Sequence, residues 1–175
     1  MRKHNGMRPQ DVAILLKIIA LNSKDWQLVP LSNELLISIS EISESLNRSR
    51  LAGLIDYHKK RPNKQSILEF LEHGVKYVFP QQPGAMSRGM VTAHSHPFMK
   101  RFFNSAENYV WADQEGDLIG QVIEPFYEKQ PKAAKRDPEF HKLLALVDVI
   151  RVGKVREVKV AIDELKRILL YEPSK

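Results

Sequence analysis

The 175-residue chain contains no cysteine, which excludes a disulfide framework and any thiolate-held metal at once. Long apolar runs are missing too. The longest, Val12 to Leu16, falls far short of the roughly 20 residues needed to span a bilayer. The amino-terminal stretch Met1-Arg2-Lys3-His4-Asn5-Gly6 is basic but lacks the apolar segment of a secretory signal. No glycine-rich phosphate-binding motif is present, and no strand–turn–helix setting marks a nucleophilic serine. His94-Ser95-His96 would project its two rings to opposite faces of an extended segment, and no third ligand stands at a recognisable spacing, so no metal site is expected. These absences predict a soluble, cytoplasmic protein with no cofactor and no membrane partner, and not an enzyme.

What is present is positive charge, unevenly spread. The net charge is +6, from 27 Lys and Arg against 21 Asp and Glu. Residues 1–74 carry 11 basic and 8 acidic groups, residues 75–128 carry 4 and 6, and residues 129–175 carry 12 and 7. An anionic partner would therefore meet the ends of the chain and not its middle.

Helical periodicity opens the chain. Pro9 and Asp11 suit a first helical turn, and Val12, Leu15, Leu16 and Ile19 follow at the spacing of one buried face. Two short helices come next. The run from Gln27 to Ser38 predicts a short helix with Pro30 in its first turn, Leu31 and Leu35 facing inward, and Ile37 plugging the corner. Ser38-Ile39-Ser40-Glu41 reads as a capping box. The second helix should run from about Ile39 to Ala52, with Ile42, Leu46 and Ser49 inside and Gly53 as its stop. Leu54-Ile55 closes this core. Asn63 would cap a further helix over Ile67, Leu68 and Leu71, ended by Gly74.

The texture changes from Val75 onward. Lys76 to Phe79 reads as a short strand, and the proline- and glycine-punctuated residues 80–98 as a long loop. Tyr109 to Trp111 and Leu118 to Ile123 suggest a β-hairpin around Asp113 to Asp117. Asp137-Pro138 caps a helix with Phe140, Leu143, Leu144, Val147 and Ile150 inside. Gly153 interrupts it, and a last helix would bury Val155, Val158, Ile162, Leu165 and Leu169. The expected fold is therefore α+β and mostly α. Its amino-terminal domain, residues 1–74, is a winged-helix-like helix-turn-helix; its body, residues 75–175, combines a small antiparallel sheet with a helix pair.

The run Glu34 to Leu46, followed by Leu51-Ala52-Gly53-Leu54-Ile55, resembles the head of winged-helix bacterial regulators such as the MarR family. Gly84 to Gly89 and Thr92 to Ser95 are similar to segments of small bacterial helix-turn-helix proteins of unassigned function. The tight turn of such heads usually carries glycine, where this chain has Leu36. A left-handed backbone there would cost about 1–2 kcal/mol. A full wing does not fit before Ile67, leaving room for a stub around Lys59 to Arg61.

The resemblance implies a sequence-specific DNA-binding transcriptional regulator, expected as a homodimeric repressor on double-stranded DNA. On a helical wheel the face opposite Ile42 and Leu46 holds Ser40, Glu44, Asn47, Arg48 and Leu51. Asn47 suits adenine, and Arg48 suits guanine or a phosphate. Ser38, Ser40 and Ser43 are short hydrogen-bonding groups near the helix start, where phosphate is favoured. Glu44 would accept from a cytosine amino group. Lys59, Lys60, Arg61 and Lys64 are phosphate contacts that position without specifying. Ser87 and Arg88, between Gly84 and Gly89, could form an anion nest, and with His94 and His96 a loop for a small effector. Two other functions fit the same sequence: a scaffold that docks a partner protein or toxin, and an enzyme acting through residues 84–96.

Overall fold

A computed structural model describes residues 5–23 and 25–171; the basic residues Arg2, Lys3 and His4 lie outside that range. In chain order the helices and strands are α1 (Pro9–Leu21), α2 (Leu28–Leu35), α3 (Ile39–Leu51), α4 (Lys64–His73), α5 (Val75–Val78), β1 (Met86–Val91), α6 (Pro97–Lys100), β2 (Tyr109–Ala112), β3 (Leu118–Val122), α7 (Gln130–Ala134), α8 (Pro138–Val152) and α9 (Val155–Lys166). A 3-10 turn covers Ala93–Ser95, and a π-helical turn, Arg167–Tyr171, follows α9. The fold is α+β and mainly helical. Among the described residues no helix is long and apolar enough to cross a membrane.

α1 is the centre of the molecule. Every residue from Asp11 to Ile19 is buried, not one face alone, because α2 and α3 pack on one side and α8 on the other. A helix apolar on all sides needs such cover. The apolar core consequently runs without a break from Leu31 and Ile42 through α1 to Phe140 and Val147 of α8. α8 is buried from Leu143 to Ile150, and Asp137 caps it by accepting from the Phe140 N–H at 3.1 Å.

The sheet departs from the expected hairpin. β2 and β3 run parallel to each other, and both pair antiparallel with β1, a strand inside the segment read as loop. Parallel neighbours normally need a crossover of a dozen or more residues. Here five residues, 113–117, suffice because they pass directly over β1 at Gly89. A Cβ on Gly116 would lie 2.2 Å from the Gly89 carbonyl carbon, and one on Gly89 would lie 2.1 Å from the Trp111 oxygen. Only glycine permits that approach. The sheet then closes on itself where Tyr109 meets Gln121.

Lys76 to Phe79 is also not a strand. Gly74 stays at negative φ, so the chain resumes a helical turn as α5, with Val75 alone buried. The β-prone residues Tyr77 and Val78 find no strand partner and remain exposed.

Behind the sheet lies a buried polar hub. Asp148 of α8 accepts from Thr92 Oγ1 at 2.7 Å, Trp111 Nε1 at 2.8 Å and Arg151 Nη1 at 2.9 Å. Arg151 also donates to the carbonyls of Phe79 and Glu124. One ion pair thereby fixes α8 to β2, to the turn after β1 and to both connecting segments.

Candidate nucleic-acid interface

Three residues, 36–38, connect α2 and α3. Leu36 has φ 59° and ψ 36°, the left-handed conformation that its position predicts. Its N–H and that of Ile37 both turn back to the Ser32 carbonyl, and Ser32 Oγ donates to the Ile37 carbonyl at 2.6 Å. Ser32 therefore locks the corner as well as allowing the close crossing. Ser38 caps α3 by accepting from the Glu41 N–H at 3.3 Å. The reciprocal bond from the Glu41 carboxylate is absent among the described residues, so half of the expected capping box forms.

Glycine at position 36 should change stability by less than about 1 kcal/mol. Relief of the left-handed backbone, about 1–2 kcal/mol, offsets the half-buried side chain and the chain entropy that glycine adds. The fully buried neighbour sets the scale: Leu35→Ala should cost about 2–5 kcal/mol. Thermal melts compare the two. A loss from Leu36→Gly equal to that of Leu35→Ala would show that the side chain, not the backbone, governs this turn.

After α3 the chain forms a stub, a turn closed by one isolated β-bridge. Ile55 bridges Pro62, and Asp56 accepts from the N–H groups of Lys60 at 2.7 Å and Arg61 at 3.0 Å. Lys59, at φ 57°, makes the tight turn. Trp26 holds the stub's base: its indole donates to the Lys60 carbonyl, and Lys60 Nζ donates to the Trp26 carbonyl at 2.8 Å while lying over the ring.

The residues expected to contact an anion separate into groups. Ser40 and Glu44 are exposed on the outer face of α3, Ser38 is exposed at its start, and Ser43 is half-buried. Asn47 accepts from Lys59 Nζ at 3.0 Å, which fastens the stub to that face. Arg61 is exposed and Lys64 half-buried, and neither forms an ion pair among the described residues. Asp56 lies near Arg61, however, and against the effect of burial its pKa is lowered by the two N–H bonds and in part by that guanidinium.

Arg48 does not join them. It is 8% exposed and grips Asp11 of α1 through two bonds, Nε to Oδ2 at 2.8 Å and Nη2 to Oδ1 at 2.7 Å. Those bonds hold its pKa above the ordinary arginine value. The wheel misplaces Arg48 because Ser45 and Ser49, both buried, extend the inner face around it. Arg50, not singled out from sequence, stands at the outer edge and lies over the Tyr57 ring of the stub at 5.6 Å. Trp26, Tyr57 and His58 are likewise new; an aromatic before α2 and a Tyr-His pair at a basic turn were the available signals.

The loop expected to take an effector is differently built. Ser87 and Arg88 belong to β1, where their backbone is paired with Gly120 and Ile119 of β3, so they form no anion nest. Arg88 Nη1 donates to the Gly116 carbonyl. His94 is buried, its Nε2–H donating to the Glu107 carbonyl at 2.8 Å. His96 Nδ1 accepts from the Phe98 N–H, and its ring meets that of His141. No group of three His, Cys, Asp or Glu that could hold a metal occurs among the described residues.

Burial, with His141 and Lys142 nearby, pushes the His96 pKa down to about 3. The unfolded chain therefore binds a proton on this ring near pH 6.5 that the folded protein refuses. Stability is lost as the pH falls below 6.5, by about 1 kcal/mol between pH 7 and 5.5. Urea titrations across that range should show the loss, and His96→Phe should reduce it, leaving the part due to His141, whose pKa burial also lowers. An unchanged slope in the variant would assign the loss to another group.

Comparison with protein-family models, with curated proteins and with solved structures finds no match to this chain.

Proposed function

We propose that residues 9–64 form a DNA-binding head, and that the protein regulates transcription by recognising a specific duplex site. The observation that supports this best is the placement of stub and helix. The Lys59–Asn47 bond and the Arg50–Tyr57 contact bring a basic turn beside the outward face of α3. A helix of this length fits the major groove, and a basic turn at its flank reaches the adjacent backbone. Asn47 and Ser40 are the base-reading groups, with Glu44 accepting from cytosine. Lys59, Arg61 and Lys64 contact phosphates, and Arg50 takes the place that sequence assigned to Arg48. Lys60 is committed to Trp26.

A second copy completes the working unit, since two-fold sites need two heads. Leu165 and Leu169 of the carboxy-terminal stripe are covered within the chain. The free end of the stripe is Val155, 87% exposed, with half-buried Val158 and Ile162 beside it, and this is where the copy would pack.

The test is selection of duplexes from a random pool, then titration of selected and scrambled duplexes at several salt concentrations. Asn47→Ala should cost about 1–3 kcal/mol on the selected duplex and much less on the scrambled one. Arg61→Ala should weaken both alike and flatten the salt dependence by about one unit. Failure of the wild type to enrich or bind any duplex would reject the proposal. It would favour protein docking instead, for which Leu51, 61% exposed, and Tyr57, 77% exposed, are the apolar contacts on the same rim.

A further inference from the structure

A cavity of about 480 Å³ opens between the end of α1, the base of the stub and the π-helical turn after α9. Its apolar lining is the partly exposed Leu170 with the edges of the buried Ile18, Ile19 and Leu169; its polar lining includes Arg61, Asn63 and Lys64. A second cavity of about 320 Å³ adjoins it, sharing Ile19, Asn22 and Lys64. The volume is within the range of small-molecule sites, roughly 300–1,000 Å³.

The charge on the polar wall is unbalanced. Arg61 and Lys64 form no ion pair among the described residues, Asp56 beside Arg61 accepts only its backbone N–H and does not line the cavity, and Lys60, also at the wall, spends its ammonium on a carbonyl. Asn63 and Lys64 are the cap and first residue of α4, so the positive end of a ten-residue helix adds to the same wall. The single carboxylate of the adjoining cavity, Glu139, makes no ion pair with Lys64.

We infer that this cavity binds an amphipathic organic anion, an apolar body ending in one carboxylate or phosphate group. The body would lie on Leu170 and the edges of Ile18, Ile19 and Leu169, and the head would bond to Arg61, Lys64 and the start of α4. Such a ligand would draw Arg61 away from a DNA phosphate, a consequence that rests on the function proposed above. Binding itself does not.

The experiment uses the full chain without DNA, with isoleucine and leucine methyl groups labelled for NMR, and calorimetry alongside. Octanoate, octyl phosphate, octan-1-ol and inorganic phosphate are titrated separately, to about 5 mM. Octanoate or octyl phosphate should shift the methyl signals of Ile18, Ile19 and Leu169, and the tighter of the two identifies the head group. Octan-1-ol and inorganic phosphate should bind at least about tenfold more weakly. The double variant Arg61→Gln/Lys64→Gln should lose about tenfold or more in affinity for the anion and keep its affinity for the alcohol. No shift with either anion, shifts spread across the molecule, or equal binding of alcohol and anion would overturn the site. Because no DNA is present, a protein that fails to bind DNA still passes this test, and one that binds DNA still fails it if the cavity is empty of function.

Discussion

Asp11→Ala is expected to destabilise the protein by about 3–5 kcal/mol, roughly 10 °C in melting temperature. The carboxylate of Asp11 is fully buried, and it holds three donors: Nε and Nη2 of Arg48, and the backbone N–H of Arg8. Alanine leaves a guanidinium buried without its counter-ion and uncaps α1 in one step. The partner variant separates those effects. Arg48→Met in the Asp11→Ala background removes the orphaned charge and should recover most of the loss, because an apolar pair of similar volume is often neutral against a buried ion pair. Urea titrations of the two single variants and the double variant supply the coupling energy. A double variant no more stable than Asp11→Ala would show that the loss comes from the cap and not from the charge. The pair also bears on function. It ties α3 to α1, so on the proposed function Arg48 would hold the exposed face of α3 in place without contacting DNA.

The same pair shows where sequence stops being informative. Helices α2, α3, α4, α8 and α9 were legible because their signals are local: Pro30 in a first turn, Ser38, Asn63 and Asp137 as caps, Gly53 and Gly153 as stops. The left-handed turn at Leu36 was legible for the same reason. Arg48 and Asp11 are 37 residues apart, and nothing local pairs them. Read alone, Asp11 explains itself as an acid at a helix start. The useful clue was that it precedes ten further residues of an almost wholly apolar helix, where a carboxylate has nowhere to go without a cation.

The sheet failed for a related reason. β1 carries Gly89 and is flanked by Pro83, Gly84 and Pro97, so its composition is that of a loop. Gly89 is instead the site where a second backbone segment crosses, and that requirement exists only once β2, β3 and residues 113–117 are assembled. Lys76 to Phe79 errs in the opposite sense. Its residues favour a strand, but strand propensity expresses itself only beside a partner. Of the candidate interface, the polar positions on α3 and the basic turn were legible; the side chains that hold them in place, Trp26 and Asp11, were not.

Asp148→Ala is expected to cost about as much, 3–5 kcal/mol, by a different route. Arg151 is 5% exposed at its side chain and loses the one carboxylate it meets among the described residues, while Thr92 Oγ1 and Trp111 Nε1 are left buried without an acceptor. Asp148→Asn keeps one acceptor oxygen and should lose less. Burial pushes the Asp148 pKa up, against the opposing pull of Arg151, Thr92 and Trp111. A raised carboxyl binds its proton more tightly in the folded state, so acidification takes no stability away at this site. The loss below pH 6.5 attributed to His96 should therefore persist unchanged in Asp148→Asn, and a flattened pH profile would contradict that assignment. Trp111 fluorescence follows the local environment during urea unfolding. A cost below about 1 kcal/mol for Asp148→Ala would mean that the Phe79 and Glu124 carbonyls satisfy Arg151 unaided. Among the described residues the hub's hydrogen bonds and ion pair reach neither the stub nor α3, so Asp148→Asn, measured where it remains folded, should leave any DNA affinity intact. Asp11→Ala, which releases Arg48 in α3, should weaken it even in the folded fraction.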